Sequence, residues 1–433
     1  MRLLFAILAC FATIPDIAAQ NAKPNIVVLI ADDLGWNDIG TRNPKIVTPN
    51  LVRLAKEGVE LQRFYAYPLC SPARAGLLTG VLPRRLGLVN VIMPGQAGIT
   101  KATPTLPARL KSVGYATSLV GKWHLGNQNP ATSVGFDHFY GFMGGEVDYV
   151  KHTDKRGKPD WQRDGKQIEE SGYSTYLFAD EASKQIRARD KSKPFYLQVA
   201  FNAPHIDLAA PEDLVAKHKS DGLYGAVVEG LDIGIGRILA TLDEQGLRDN
   251  TLVVFVSDNG APRPTGSNAP LRGYKASVDE GGIRTPAILR WPKRVPAGVK
   301  LEQPIAIIDL FPTIAAAANL PLAAELKIDG VNQWPAIAGG KTLPRPPFLV
   351  ASSDIALLDG DWKLVETNAG LRTLYNLKAD LSEAKDLLAA QPELAAKLGT
   401  QLDILKKDLP AYSGGSIGPG GGGGKGGKGK GKK

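Results

Sequence analysis

The residues of this sequence that could do chemistry follow four short apolar segments. Each segment is rich in β-branched or aromatic residues, a composition typical of buried strands. Ligands bind beyond the carboxyl ends of the strands in an open parallel sheet, so the polar side chains after these segments should converge on one edge. The segments and the residues that follow them are 26–30 with Asp32 and Asp33, 117–120 with Lys122 and His124, 195–201 with His205, and 252–256 with Asp258 and Asn259.

Four of these residues offer hard oxygen ligands: Asp32, Asp33, Asp258 and Asn259. Three carboxylates and an amide suit Ca²⁺ or Mg²⁺, and one Ca²⁺ ion tolerates the irregular geometry of two loop pairs better. No cysteine or imidazole is adjacent to them, which argues against zinc. Either pair alone is more typical of a turn, but two such pairs at strand ends predict a metal site. The choice between Ca²⁺ and Mg²⁺ stays open at this stage.

Cys70 is the second unusual feature, because only two cysteines exist and Cys10 lies in an N-terminal segment that we expect to be removed. An unpaired cysteine in an exported protein is either a small buried hydrophobe or a reactive group. Pro72 suits the first turn of a helix, where free amides and the helix dipole attract anions. Arg74 adds a fork of donors for an oxyanion. We therefore expect Cys70 at an anion site near the metal.

The elements that position these residues alternate between strand and helix. Thr48-Pro49 makes a good N-cap and first helical position, with Gly58 as a stop. The segment 224–245 has the apolar spacing of an amphipathic helix, and Gly246 can cap it. This alternation predicts a large, mainly parallel sheet flanked by helices. The long segment 135–172 reads as irregular and is expected to carry substrate contacts.

The chain divides by composition into four parts. We expect a catalytic domain over 21–340 and a C-terminal subdomain over 341–412, with short strands at 361–365 and 374–377 and a helix from about 392 to 409. Residues 413–433 are mostly glycine and lysine, cannot form a core and are predicted to be disordered.

The first part, 1–20, has the pattern of a secretory signal peptide. Arg2 precedes a nearly continuous apolar run over 3–14, and Ala18-Ala19 suits cleavage. The protein is therefore expected in the periplasm or outside the cell. A lipoprotein anchor through Cys10 is a second reading, but it would leave an apolar stretch of only seven residues. No later apolar run is long enough to span a bilayer.

The net charge is +9, and five of the lysines lie in the last nine residues. A basic chain can bind nucleic acid, membranes or anionic polymers. Because we expect the protein to be exported, nucleic acid is a poor candidate for its binding partner. The tail either attracts an acidic polysaccharide or has no dedicated partner.

The segment Cys70-Ser71-Pro72-Ala73-Arg74, with Leu-Leu-Thr-Gly at 77–80, resembles the signature of type I sulfatases. In that family a formylglycine-generating enzyme oxidises the cysteine to formylglycine (3-oxoalanine) before or during export. The resemblance covers 25 to about 409 and implies an alkaline-phosphatase-like α/β sandwich with a small C-terminal subdomain of a short antiparallel sheet and a helix. The other matching segments are 114–117, 121–124, the Asp32 and Asp258 pairs, and Lys275 with 280–284.

The resemblance also implies a mechanism for sulfate-ester hydrolysis. Hydrated formylglycine is a gem-diol nucleophile, and Arg74 with one Ca²⁺ ion eases its ionisation. Lys122 and Lys275 hold sulfate oxygens, and His205, with or without Lys275, protonates the departing alcohol. His124 takes a proton from the second hydroxyl. Position 70 thereby joins the metal set with Asp32, Asp33, Asp258 and Asn259. A single histidine near an apolar strand is more often structural than catalytic. The roles given to His124 and His205 therefore rest on their match to positions of the family motifs.

Two positions depart from the family pattern. His205 follows Ala203-Pro204 where the family often has His-x-Pro, and Val81 stands where arginine is common, with Arg84 and Arg85 further on. The segments 135–137 and 140–142 resemble arylsulfatase B-like members, which act on sulfated sugars. We therefore expect a sulfated polysaccharide or oligosaccharide; the sugar, the sulfate position, end- or mid-chain action and the oligomeric state stay open.

Two rival functions are compatible with these residues. A phosphomonoester or phosphonate hydrolase of the same fold can share the cysteine motif. A noncatalytic protein that binds anionic polysaccharides would keep Cys70 unmodified and use the lysine tail for affinity.

Overall fold

The computed structural model describes residues 23–93, 95–219 and 222–412, and a ten-stranded sheet is its largest element. The four predicted segments form neighbouring strands at the centre of this sheet, in the order β8-β1-β7-β3, and all three pairs are parallel. The full order is β10-β2-β9-β8-β1-β7-β3-β4-β5-β6. The strands of the described residues are β1 Asn25–Ala31, β2 Val59–Tyr65, β3 Ala116–Lys122, β4 His138–Phe142, β5 Gln162–Arg163, β6 Lys166–Gln167, β7 Phe195–Ala200, β8 Thr251–Ser257, β9 Ala287–Arg290, β10 Val299–Ala306, β11 Phe348–Ala351, β12 Ile355–Asp359, β13 Trp362–Glu366 and β14 Arg372–Asn376.

Helices cover both faces of this sheet, as the alternation predicts. Side chains alternate between faces along a strand, so Ile26 and Val28 of β1 join one apolar core while Val27 and Leu29 join the other. The helices of the described residues are α1 Pro49–Lys56, α2 Cys70–Thr79, α3 Leu106–Ser112, α4 Ser174–Ala188, α5 Glu212–Lys217, α6 Gly222–Glu244, α7 Glu280–Ile283, α8 Leu310–Ala317, α9 Trp334–Gly339 and α10 Pro392–Lys406. Helices α2, α3 and α8 contribute to the first core, and α4 and α6 to the second. Within the described ranges, no helix is long and apolar enough to cross a membrane.

The start of α1 shows where tertiary contacts replace a local signal. Thr48 occupies the N-cap position, but its hydroxyl accepts a hydrogen bond from the Gly40 amide at 2.7 Å and caps nothing in the helix. The carboxylate of Asp232, on α6, instead accepts from the amides of Asn50 at 2.9 Å and Leu51 at 2.8 Å. A buried acid from a distant helix thus satisfies the free amides of the first turn.

The segment 135–172 is more ordered than the sequence predicts. Strand β4 lies parallel to β3, and β5 and β6 extend the sheet by two short antiparallel strands. The longest part of this segment without a strand of the large sheet is 143–161, between β4 and β5. Two-residue strands give no periodic signal, which is why sequence analysis misses them.

The C-terminal region contains the predicted short antiparallel sheet and helix. Strands β11 to β14 pair in sequence order, and Trp362 of β13 lies opposite Asn376 of β14. The residues of this sheet share one continuous apolar core with the first face of the large sheet. The limits of the subdomain, 341–412, stay a prediction. The predicted signal peptide and glycine–lysine tail lie outside the described residues.

Candidate active site

The predicted polar residues meet at the carboxyl edge of the central strands. One ligand atom from each of Asp32, Asp33, Cys70 and Asp258 lies within 4.8 Å of the others, and all four residues are buried. The Asp33 amide donates to Oδ1 of Asp258 at 3.2 Å, which ties the two strand ends together. Asp33 has a φ of 69°, a left-handed conformation that aspartate tolerates better than most residues.

Asn259 completes this cluster with an oxygen that has no protein partner. Its Nδ2 atom donates to Oδ1 of Asp33 at 2.6 Å and to the Gly260 carbonyl at 3.0 Å, so two acceptors fix the orientation of the amide. Its Oδ1 atom is buried and accepts no hydrogen bond within the described part of the chain. A buried carbonyl oxygen beside three carboxylates fits the donor set of a hard divalent cation.

Three cationic side chains contact the three carboxylates. Nζ of Lys122 lies 2.6 Å from Oδ2 of Asp32, Nη2 of Arg74 lies 2.7 Å from Oδ2 of Asp258, and Nζ of Lys275 lies 2.7 Å from Oδ1 of Asp33. These contacts place both lysines and Arg74 in the same cluster as the predicted metal ligands.

The carboxyl groups of Asp32 and Asp258 have pKa values shifted in opposite directions. Burial would raise the pKa of the Asp32 carboxyl, but Lys122 and other nearby cations hold it well below its ordinary value. Burial, and then the charge of Asp32, raise the pKa of Asp258 to about 6 although Arg74 opposes them. The positive charge of Arg74 therefore does not offset the burial of Asp258 and the negative charge of Asp32. A bound divalent cation would supply the missing positive charge.

Cys70 is the first residue of α2, where the sequence predicts it. The side chain is buried, and its Sγ atom lies 3.5 Å from Oδ1 of Asp32 and 3.8 Å from Oδ1 of Asp33. Burial raises the pKa of the Cys70 thiol to about 12, although Lys122 and Lys275 oppose the shift. An unmodified Cys70 is thus protonated near pH 7, and a thiol is a much weaker nucleophile than a thiolate.

Arg74 contacts protein groups with two of its donors. Besides Asp258, it donates from Nη1 to the Lys122 carbonyl at 3.4 Å, and its Nε atom is buried without a partner within the described residues. The Arg74 guanidinium, which the sequence predicts to bind an oxyanion, therefore also links α2 to the ends of β8 and β3.

Both predicted histidines reach the cluster. His124 has a φ of 52°, and its buried Nδ1 atom forms no hydrogen bond with any of the described residues. Burial, and then Lys122, hold the pKa of His124 well below its ordinary value, so the ring is neutral. Nε2 of His205 lies 3.7 Å from Oδ2 of Asp33, and burial lowers the pKa of His205 as well.

A cleft of about 900 Å³ opens above this cluster. Cys70, His124, His205 and Lys275 line its inner end, while Lys122 and Arg74 are buried and do not line it. Residues 154–156 and 158–160, most of them exposed, form much of its outer wall, and 143–146 line it beside His124. The segment expected to carry substrate contacts therefore borders the cleft.

The two arginines after Val81 lie elsewhere. Arg84 donates to the carbonyls of Ser352 at 3.1 Å and Pro410 at 2.9 Å, and Arg85 pairs with Asp329 at 2.9 Å. Arg84 thereby connects the main sheet region to C-terminal segments, and Arg85 does so by donating from Nη1 to the Asp408 carbonyl at 3.4 Å.

A buried ion cluster that the sequence alone did not reveal joins β13 to the segment that follows Lys275. Nζ of Lys363, on β13, lies 3.0 Å from Oε1 of Glu280 and 2.8 Å from Oε1 of Glu383. The Glu280 amide in turn donates to Oε2 of Glu383 at 2.8 Å. The available signal was a lysine between the apolar residues Trp362 and Leu364, because a lysine is almost never fully buried unless it is paired.

The fold and this site first define a class: an alkaline-phosphatase-like α/β protein with its polar cluster at the carboxyl edge of a mainly parallel sheet. The protein-family model described as Sulfatase matches residues 24–320. Human (Homo sapiens) N-acetylgalactosamine-6-sulfatase is 37% identical over 354 residues, which cover 75% of this chain and 68% of that relative. The chain belongs to the type I sulfatase family and is a sulfuric ester hydrolase.

Solved structures of similar proteins agree with this assignment. Ps i-CgsB in complex with k-i-k-neocarrahexaose matches with a TM-score of 0.85 and 32% identity over 90% of this chain and 94% of that one. PsFucS1 sulfatase from Pseudoalteromonas sp. matches with a TM-score of 0.79 and 27% identity over 92% of this chain and 93% of that one.

Proposed function

We propose that this sulfatase removes sulfate from a sulfated polysaccharide or its oligosaccharides, using Cys70 in its formylglycine form and one Ca²⁺ ion. The observation that carries the proposal is the position of Cys70, at the start of α2, at the inner end of the cleft and within the acidic cluster. The names of its relatives support the substrate class: one is an N-acetylgalactosamine-6-sulfatase, and one was solved with a neocarrahexaose.

The state of the thiol supports the modification. A buried thiol with a pKa of about 12 has almost no thiolate near pH 7, so unmodified Cys70 would be a weak nucleophile. Hydrated formylglycine supplies one hydroxyl to attack sulfur and a second hydroxyl whose deprotonation releases sulfate.

The proposed metal set is Asp32, Asp33, Asp258, Asn259 and the modified side chain at position 70. A bound Ca²⁺ would supply charge neutralisation for the sulfate and for the attacking oxygen. The unpartnered Oδ1 of Asn259 and the raised pKa of Asp258 support this assignment, since both groups gain from a cation.

The lysines and Arg74 supply fixed positive charge. Burial works against the charge of Lys275, but the nearby carboxylates of Asp33 and Asp32 oppose it and the pKa is raised, so Lys275 stays protonated where it lines the cleft. We propose that Lys275 donates to a sulfate oxygen and that Lys122 adds a second positive charge from the buried side. Preorganised charges of this kind typically contribute a few kcal/mol to transition-state stabilisation.

The histidines are proposed to move protons. Neutral His124 can accept a proton from the second hydroxyl at position 70, because its Nδ1 has no competing partner among the described residues. His205 must be protonated to act as the acid for the departing alcohol. An anionic ester entering the cleft would raise the pKa of His205 and favour that form, and Lys275 can assist.

We also propose that the protein is exported, with 1–20 as its signal peptide, and that a formylglycine-generating enzyme matures it. Purified protein from an exporting host should then begin near residue 20 and contain an aldehyde at position 70. Peptide mass analysis tests both points.

Turnover of an aryl sulfate against the matching aryl phosphate tests the bond that is broken. We expect a clear preference for the sulfate, and a strong preference for the phosphate would contradict the proposal in favour of a phosphomonoester hydrolase. A desulfation screen on defined sulfated oligosaccharides then tests the substrate class. Release of sulfate from the aryl ester but from none of the sugars would overturn the carbohydrate assignment.

A further inference from the structure

The outer wall of the cleft is built on a short hairpin, residues 152–161, which we call the rim hairpin. Thr153 and Pro159 form an antiparallel bridge at its base. The Asp154 carboxylate accepts from the amides of Arg156 at 2.8 Å and Lys158 at 2.9 Å, which holds the turn in shape. These hydrogen bonds within the hairpin stabilise the conformation of its tip.

The base of the rim hairpin is anchored to the sheet. The His152 ring stacks on Trp161 with centroids 4.1 Å apart. The Asp160 carboxylate accepts from the amides of Met143 at 2.9 Å and Gly144 at 2.8 Å, just after β4. These contacts attach the hairpin to the segment that reaches His124 and so fix the tip relative to the site.

The charged side chains of the rim hairpin differ in their partners. Lys155 pairs with Glu146 at 2.7 Å. Asp154 and Asp160 both direct carboxylate oxygens at backbone amides. Within the described part of the chain, the exposed side chains of Arg156 and Lys158 have no ion-pair partner. Each of these three acids thus has at least one carboxylate oxygen engaged by a nearby group, while the two cations keep their donors free.

Both free cations line the same cleft as Cys70 and Lys275. Pockets for small ligands occupy about 300–1,000 Å³, so this cleft of about 900 Å³ has room for more than a sulfate group. Ile206 and Met93, which are 39% and 54% exposed, add apolar surface to its lining and suit the C–H faces of a sugar ring.

We propose that Arg156 and Lys158 form an anion subsite for a second anionic group, a sulfate ester or a carboxylate, carried elsewhere on the oligosaccharide whose sulfate reaches Cys70. This inference rests on the proposed carbohydrate substrate and extends it to multiply charged chains. The planar guanidinium of Arg156 can donate a bidentate pair of hydrogen bonds to an oxyanion. Lys158, two residues further along the chain, adds a second positive charge.

The test compares binding of three disaccharide probes: one with a single sulfate, one with a sulfate on each sugar, and one with a sulfate and a carboxylate. Calorimetry on full-length protein carrying Cys70→Ala removes turnover from the measurement. We expect Arg156→Gln/Lys158→Gln to lose roughly 10- to 100-fold in affinity for a doubly anionic probe and less than about threefold for the monosulfated one. The probe that loses affinity identifies the second anion, and either result supports the subsite.

The matched control is Lys191→Gln/Lys193→Gln, which removes the same charge from exposed residues that line a different cavity. It should leave all three affinities unchanged. An unchanged affinity of the rim variant for both doubly anionic probes, or an equal loss for all three probes, overturns the proposal. Failure of the mature enzyme to cleave any sulfate ester, with the binding preference intact, would contradict the proposed function and leave the subsite standing.

Discussion

The Nζ atom of Lys363 lies 3.0 Å from Oε1 of Glu280, and both side chains are fully buried. This ion pair joins the C-terminal sheet to the segment 272–284, which carries Lys275 into the cleft. A second carboxylate, from Glu383, lies 2.8 Å from the same ammonium group. Burial lowers the pKa of Lys363, but the two carboxylates outweigh it and raise the pKa above its ordinary value.

Replacing Lys363 by Met should therefore destabilise the protein, because two buried carboxylates lose their partner. We expect a loss of about 3–5 kcal/mol in the free energy of unfolding, measured by denaturant titration, together with a lower kcat on an aryl sulfate. Lys385→Met, an exposed lysine near Glu383, is the control and should change neither. Unchanged stability of Lys363→Met would show that the network does not hold this region together.

Asn259→Ala should weaken metal binding, because it removes the buried Oδ1 that has no protein partner among the described residues. Loss of an outer ligand contact costs about 10- to 100-fold in metal affinity, and loss of a direct ligand should cost at least as much. Ca²⁺ at 100 times its Kd adds about 2.7 kcal/mol of stability, so thermal melts with and without Ca²⁺ report the change.

In the same melts, Asn368→Ala, at an exposed residue, should retain the full shift of the wild type. Chelation should inactivate the enzyme, and added Ca²⁺ should restore activity. A Ca²⁺-dependent shift of wild-type size in Asn259→Ala would remove this residue from the ligand set.

Cys70→Ala should lower kcat by a factor on the order of 10³ or more, because the proposed nucleophile is carried by this side chain. Any fraction of wild-type protein that keeps the thiol should resist alkylation in the native state and react after unfolding, since the thiol is buried and its pKa is raised to about 12. Mass analysis of the labelled peptide measures both fractions. Full activity in Cys70→Ala would refute the role of position 70.

Gly145→Ala should impair catalysis without unfolding the protein. A Cβ atom at this position would lie 2.7 Å from Cε1 of His124, so the ring must move. Displacing a catalytic group by about 1 Å can cost about 100-fold in rate, and steady-state kinetics with an aryl sulfate measures the loss. At Gly339 the nearest atom to an added Cβ is 3.6 Å away, so Gly339→Ala should retain activity. Equal kinetics in both variants would argue against a role for His124.

Glu181 should control part of the acid stability. Burial raises its pKa, but hydrogen bonds from His138 and Arg163 outweigh this and lower it from 4.5 to about 2. A carboxyl with a depressed folded pKa stabilises the protein above its unfolded pKa and loses that contribution as the pH falls. Wild-type stability should thus decrease between about pH 4.5 and about 2.

Melting temperatures measured across this range should fall less steeply for Glu181→Gln than for the wild type. Asp180→Asn, on the exposed side of the same helix, should follow the wild-type slope. If the melting temperatures of Glu181→Gln and the wild type fall equally steeply with decreasing pH, other carboxylates cause the loss of stability at low pH.

Local sequence alone determined the central strands and the identity of the polar residues that follow them. Residues 26–30 and 252–256 lie within fully buried strands, and their apolar, β-branched composition is a strong local signal. The Cys70-to-Arg74 motif likewise pointed to the family that the comparisons show. A parallel strand order then requires the residues after these strands to share one edge, and this is why the cluster could be anticipated.

Only the tertiary structure decided which groups contact each other across the cluster. Two examples are contacts between residues far apart in sequence: the capping of α1 by Asp232 and the pairing of Lys363 with Glu280. A third is the free donors of Arg156 at the cleft, which depend on whether a neighbouring acid pairs with them. Local periodicity carries no information on such partners, because they depend on how the elements pack. The short strands β5 and β6 escaped prediction for a related reason: two residues form a strand only where an existing sheet edge pairs with them.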